Sequence, residues 1–238
     1  MKIEEYIERA PHNYFFGSLV DADMELEYLE DFTESTVEFL GRAAVEAATK
    51  TRDLSDGLKA IAGDAEYLYG AMYASDVYQA SIIASIIFLE RQMKDFTRGL
   101  KFGLQLGLGM RDLSGSVLER FRKYCEKVAR LDFGLQQVEW QNIRGVVEMR
   151  NWLVHSSGNI DHFNKKQEVI AFVERHGTPH IEDSWIRVEE ATVRVVLKLL
   201  RDFIESIYKC ALERFPKESD RLSVREEETE GSAGEVEV

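Results

Sequence analysis

Only three prolines occur in the 238 residues, at positions 11, 179 and 216. A proline inside a helix removes a hydrogen bond and clashes with the turn before it, so the stretch from 12 to 178 is free to form long helices. Hydrophobic spacing fills that space with helical signals. Residues 24–50 place Leu26, Leu29, Phe32, Val37, Leu40, Ala44 and Ala47 at steps of threes and fours, with a shift between Phe32 and Val37 that allows a kink. A second helix is expected from Asp56 to about Tyr73, and a third over 75–100, capped by Ser75 or Asp76 and apolar nearly all round at its centre. A helix apolar on most sides belongs in the middle of a bundle.

Further along, Ser114 or Ser116 caps a helix over 117–133. Another starts near Gln137, with Trp140, Ile143, Val147, Met149 or Arg150, and Val154 on a shifting stripe. Residues 165–177 read as a short helix ended by Gly177 or as a strand, and 180–188 alternates like a strand. The last helix, 188–215, turns Val193, Val196, Leu197, Leu200, Phe203, Ile204 and Ile207 inward and stops at Pro216. The expected fold is all-α: a helical bundle with a small irregular or β-like insertion before the last long helix. The expected organisation is an acidic helical extension over 1–50, the main helical domain over 51–216, and an acidic disordered tail over 217–238.

Apolar residues make up 45% of the chain, enough for a sizeable core. Cys125 and Cys210 lack metal-binding or redox spacing and read as small packed residues in a reducing compartment. The longest apolar run, 80–89, is about half of the ~20 residues a membrane span needs. The first ten residues carry three glutamates and no apolar leader core, so a soluble, cytoplasmic protein without membrane contact is expected.

The net charge of −13 is unevenly spread. Residues 1–50 carry −8 and 217–238 carry −5, which leaves the body neutral, while 91–130 within it carries +6. That basic stripe, with Arg91, Lys94, Arg98, Lys101, Arg122 and Lys123, suits a phosphate-bearing ligand; its plain alternative is a solvated helix face. The glycine-rich segment 103–116 lacks the phosphate-loop pattern and follows no strand, so it reads as a connection.

One short stretch carries chemistry. Asn151 and His155 stand four apart and stack on one helical face, and the long Arg150 side chain can swing toward them. Ser156, Ser157, Gly158 and Asn159 then stop the helix. A histidine exchanges protons near neutrality, an arginine offers a planar fork to a phosphate gaining charge, and an asparagine can orient either. Those are the parts for metal-independent RNA cleavage by the ribose 2′-OH. Helix termination alone also accounts for them, since a histidine in a last turn is favoured by the helix dipole. Glu148 by itself is too little for a metal site, and His162, His176 and His180 lack ligand spacing, so neither metal nor cofactor is expected.

Arg150-Asn151-Trp152-Leu153-Val154-His155, followed by Gly158, resembles the R-N-x-x-x-H form of the motif of the HEPN superfamily (higher eukaryotes and prokaryotes nucleotide-binding). The resemblance extends over about 75–214: 80–96 looks like the central HEPN helix with its Leu-Glu step at Glu90, and 113–128, a Trp-containing motif helix and a final amphipathic helix follow in the expected order. The resemblance implies a helical homodimer whose two motifs face each other as one RNA-cleaving cleft, leaving 2′,3′-cyclic phosphate ends. It implies His155 as the proton-transfer residue, Arg150 as the phosphate stabiliser and Asn151 as the positioning residue, with Glu90 and Gly158 in support. Many such proteins are toxins or anti-phage and stress defence effectors, which implies RNA, an antitoxin or a defence-system partner. Some relatives are silenced on a tyrosine two residues past the histidine, where this chain has Ser157. Two alternatives stand beside this reading: a non-catalytic HEPN dimerisation or RNA-binding module, and a plain helical scaffold.

Overall fold

The computed structural model describes residues 2–50, 64, 67–134, 137–155, 159, 161, 163–182 and 184–217. The chain is all-α, with one two-stranded hairpin among the described residues. Helices α1 (Ile3–Arg9) and α2 (Pro11–Lys50) open it. A π-helical turn, Leu68–Tyr73, runs into α3 (Ala74–Gly103) with helical dihedrals at the join, so no N-cap at Ser75 or Asp76 begins that helix. Then come α4 (Val117–Lys123), extended by a π-helical turn Tyr124–Ala129, α5 (Gln137–His155), α6 (Lys166–His176), the antiparallel pair β1 (His180–Glu182) and β2 (Trp185–Arg187), and α7 (Glu190–Arg214). The 165–177 ambiguity resolves as a helix, closed by Gly177 at φ 68°, a left-handed conformation that glycine adopts without a Cβ clash. Of the helix expected from Asp56 to about Tyr73, residues 56–63, 65 and 66 lie outside the described residues, as do Ser156 to Gly158 and the tail from 218.

These elements divide into two compact units. One gathers the described parts of Met1–Asp21, Met93–Gly134 and Ile204–Val238. Its core is aromatic: Phe15 meets Phe96 at 5.4 Å and stacks on Phe215 at 5.3 Å, while Tyr208 stands edge-on to Phe96 at 5.2 Å. Gly99 makes the approach of α3 to α2 possible here, since a Cβ would sit 2.8 Å from the Phe15 ring. Ser116 caps α4 in a reciprocal box, accepting from the Glu119 N–H while the Glu119 carboxylate accepts from the Ser116 N–H.

The second unit, Ala22–Gln92 with Leu135–Phe203, holds the 150–155 motif. The inner face expected for α7 is the one observed: Val193, Val196, Leu197, Leu200, Phe203, Ile204 and Ile207 are all buried. On α2 the expectation fails at one position. Phe32 is 53% exposed, and Thr33 takes the inward place. Thr33 keeps the spacing set by Leu26 and Leu29, and its hydroxyl is satisfied by the Leu29 carbonyl at 2.7 Å and by Ser81 Oγ at 2.8 Å. On α5 the stripe runs through Trp140, Ile143, Val146, Met149 and Leu153, so Val146 and Leu153 are buried where Val147 and Val154 were expected. The helical stretch Leu68–Gly103 is long and apolar enough, by length and composition, to cross a membrane. One side of it buries Ile82, Ile86, Leu89, Met93, Phe96 and Leu100 within the protein.

Candidate functional site

The motif occupies the last turns of α5, and the packing of α6 holds that helix in place. Gly145 lies where the Phe172 side chain of α6 crosses: a Cβ at 145 would meet Phe172 Cδ2 at 2.8 Å and Cβ at 2.9 Å. One turn earlier the buried Asn142 Oδ1 accepts from the Arg175 guanidinium and lies 3.2 Å from His176 Nε2. His176 also packs its ring on Phe172 at 4.5 Å, and burial together with Arg175 lowers its pKa below the ordinary histidine value. Both contacts fix α5 against α6 just ahead of the motif.

Within the motif, Trp152 is fully buried. Arg150 and Asn151 are half-buried, and His155 is exposed. Arg150 Nη1 donates to Asn151 Oδ1 at 3.2 Å. Asn151 Nδ2 donates in turn to Glu148 Oε2 at 3.3 Å. The other Glu148 oxygen accepts from Lys165 Nζ at 2.5 Å. A continuous polar row therefore runs from Lys165, at the mouth of α6, through Glu148 and Asn151 to Arg150. The Glu148 side chain is only 8% exposed, and this pairing makes a carboxylate tolerable there. Arg150 Nε is buried with no hydrogen-bond partner among the described residues.

Glu148 and Lys165 are the members that sequence reasoning left out. Glu148 precedes Asn151 by three residues and so shares its face, a signal that was available. Lys165 comes from beyond a break in the helical pattern, and only the folding of α6 onto α5 brings it in. The support residue Glu90 is half-buried on α3, and Gly158 lies outside the described residues.

The six basic candidates are divided between the two units. Arg91 shares the motif's unit, whereas Lys94, Arg98, Lys101, Arg122 and Lys123 belong to the other. Arg91 is bonded to Glu25 and lies 5.6 Å over the Phe88 ring. Arg98 is bonded to Glu4, Arg122 to Glu126 at 2.7 Å, and Lys123 to the Ser114 carbonyl at 3.1 Å. Among the described residues, no three His, Cys, Asp or Glu side chains form a set able to hold a metal ion.

The class defined on this ground is an all-α protein with a polar row from Lys165 to Arg150 near one helix end and an exposed histidine in that helix's last turn. No family model, no curated protein and no solved structure matches the chain.

Proposed function

We propose that the protein is a metal-independent endoribonuclease of HEPN type acting in the cytoplasm, as a toxin or a defence effector. The observation that carries this reading is His155 standing exposed in the last turn of α5, four residues beyond an Asn151 that links Arg150 to Glu148. The Glu148 carboxylate orients the Asn151 amide, and the amide oxygen holds one arm of the guanidinium. In the reaction a ribose 2′-oxygen loses its proton and attacks its own phosphorus, and the 5′-oxygen leaves with a proton, giving a 2′,3′-cyclic phosphate. Arg150 stabilises the phosphorane charge, and His155 moves a proton. One chain supplies one such histidine, so separate base and acid groups require a second copy, and the reading includes a homodimer.

The test is cleavage of end-labelled RNA in excess EDTA. Wild-type protein should release cyclic-phosphate ends, and His155→Ala should lower the rate at least about a hundredfold with circular dichroism and dimer mass unchanged. Full activity in that variant removes the assignment. The second reading, a non-catalytic binding or structural module, is favoured by the pairing of Arg91, Arg98 and Arg122 with acids of the same chain. It predicts RNA that is retarded in a gel but never shortened, or no interaction at all.

A further inference from the structure

The helix α2 buries one face and leaves the opposite one open. Around the inward row Leu26, Thr33 and Ala44, the helical repeat of 100° per residue puts Met24, Tyr28, Phe32, Phe39 and Val45 on the far side. They are exposed to 62%, 73%, 53%, 61% and 67%, values typical of residues that touch little of the chain. Single exposed apolar residues are ordinary, but five large ones along a single helix face mark a binding surface. Met24, Tyr28 and Phe32 form an i, i+4 ridge, the kind of relief that another helix packs against.

The polar residues between them decide what that helix carries. The same face bears Glu27, Asp31, Glu38 and Glu46, against Arg42, already paired with Glu38 at 2.9 Å, and Lys50 at its end, paired with Glu46 at 2.5 Å. Beside it opens a cavity of about 330 Å³, bordered by four glutamates, Glu34 and Glu38 among them, and a single arginine, Arg194. Arg194 is itself held by Glu34 at 3.1 Å and Glu190 at 2.6 Å. Val37, Val193 and Leu197 line the cavity's apolar wall. An apolar wall under a carboxylate rim matches a lysine or arginine side chain, whose stem is apolar and whose head is charged. A second copy of α2 would bring carboxylates against carboxylates, and the acidic segment 217–238 has the same sign.

We propose that the outward face of α2 from Met24 to Glu46 docks a cationic amphipathic helix of a partner protein. The apolar ridge gives the contact its area, and the flanking carboxylates select lysine and arginine at the partner's edges. The face spans about 33 Å at 1.5 Å per residue, so the docked helix is about six turns long. The proposal does not depend on the ribonuclease reading.

The probe is a labelled synthetic peptide of about 22 residues, with leucines at heptad core positions and lysines and arginines flanking them. Fluorescence anisotropy against the full chain should show binding that weakens at least about tenfold between roughly 50 and 300 mM salt. A scrambled peptide of the same composition should bind at least about tenfold more weakly, and so should an amphipathic peptide carrying glutamates instead. The double substitution Tyr28→Ser and Phe39→Ser, both at exposed sites, should weaken the basic peptide by a similar factor with melting temperature and sedimentation unchanged. Equal affinity for the scrambled peptide, or unaltered binding by the double variant, overturns the proposal. So does a dimer that this double variant splits, because the face would then belong to a second copy.

Discussion

Replacing Gly145 by alanine sets two known effects against each other, and the structure decides which wins. In an exposed helix interior the change stabilises by about 1 kcal/mol, because glycine loses more backbone freedom on folding. At 145 the new methyl would lie 2.8 Å from Phe172 Cδ2, 2.9 Å from its Cβ and 3.1 Å from its Cγ. Phe172 is fully buried, and Cβ cannot swing aside as a side-chain tip could, so α6 itself must move away from α5. Overpacking of this kind costs about 1–3 kcal/mol, more than the propensity gain. Less that gain of about 1 kcal/mol, the expected net loss is up to ~2 kcal/mol, a fall in melting temperature of up to about 8 °C for a chain of this size. Gly41, on α2 in the same unit, is the internal control: a Cβ there meets nothing within 4 Å. Gly41→Ala should therefore stabilise, by about 0.5–1 kcal/mol. Urea unfolding followed by far-ultraviolet circular dichroism measures both. If the two substitutions shift the midpoint in the same direction by the same amount, the close approach of α5 and α6 is not a constraint and the reasoning fails.

The polar row is tested by a double-mutant cycle on Lys165→Met and Glu148→Gln. Lys165 is 51% exposed, so solvent screening reduces the full value of a buried pair, and a coupling energy of about 1 kcal/mol is expected from urea midpoints. Strict additivity would mean that the contact contributes nothing. The buried tyrosines predict the alkaline limit of stability. Burial is the main force raising Tyr14 and Tyr124, each to about 12, with nearby Asp95 adding to the shift at Tyr14 and Cys125 and Asp112 at Tyr124. A phenol of the unfolded chain ionises near 10, so between about 10 and 12 the unfolded state holds fewer protons than the folded one. Stability from these groups is complete below pH ~10 and is lost as pH rises through 12. Absorbance at 295 nm should accordingly show part of the tyrosine signal appearing only as the protein unfolds.

What the residues declare in order and what they acquire by folding separate cleanly here. The all-α class was legible because scarce prolines and apolar steps of three and four leave few alternatives. The inner face of α7 was legible to the residue, because a strongly amphipathic helix has only one side to bury. On α2 the pattern misled at Phe32, since large apolar residues lie on both sides of that helix and periodicity alone cannot say which side meets the core. On α5 a shifting stripe left Val146 and Val147 equally eligible, and contact with the rest of its unit chose Val146. The strand-like segment 180–188 became a hairpin because β1 pairs with β2, a choice that alternation within one run does not reveal.

At the candidate site, the spacing of Arg150, Asn151 and His155 and the exposure expected of a helix end follow from the local sequence, because a helix places residues four apart on one face. The sequence by itself therefore determined the helical class, the principal buried stripes and the chemical types gathered at the end of α5. Tertiary structure alone decided that Lys165 reaches Glu148 across seventeen residues, that Gly145 yields to Phe172, and that Arg91 and Arg98 pair with Glu25 and Glu4. The reason is range. Helix periodicity and side-chain chemistry act within a turn or two, whereas a charge's partner is chosen by whichever elements packing brings within about 4 Å.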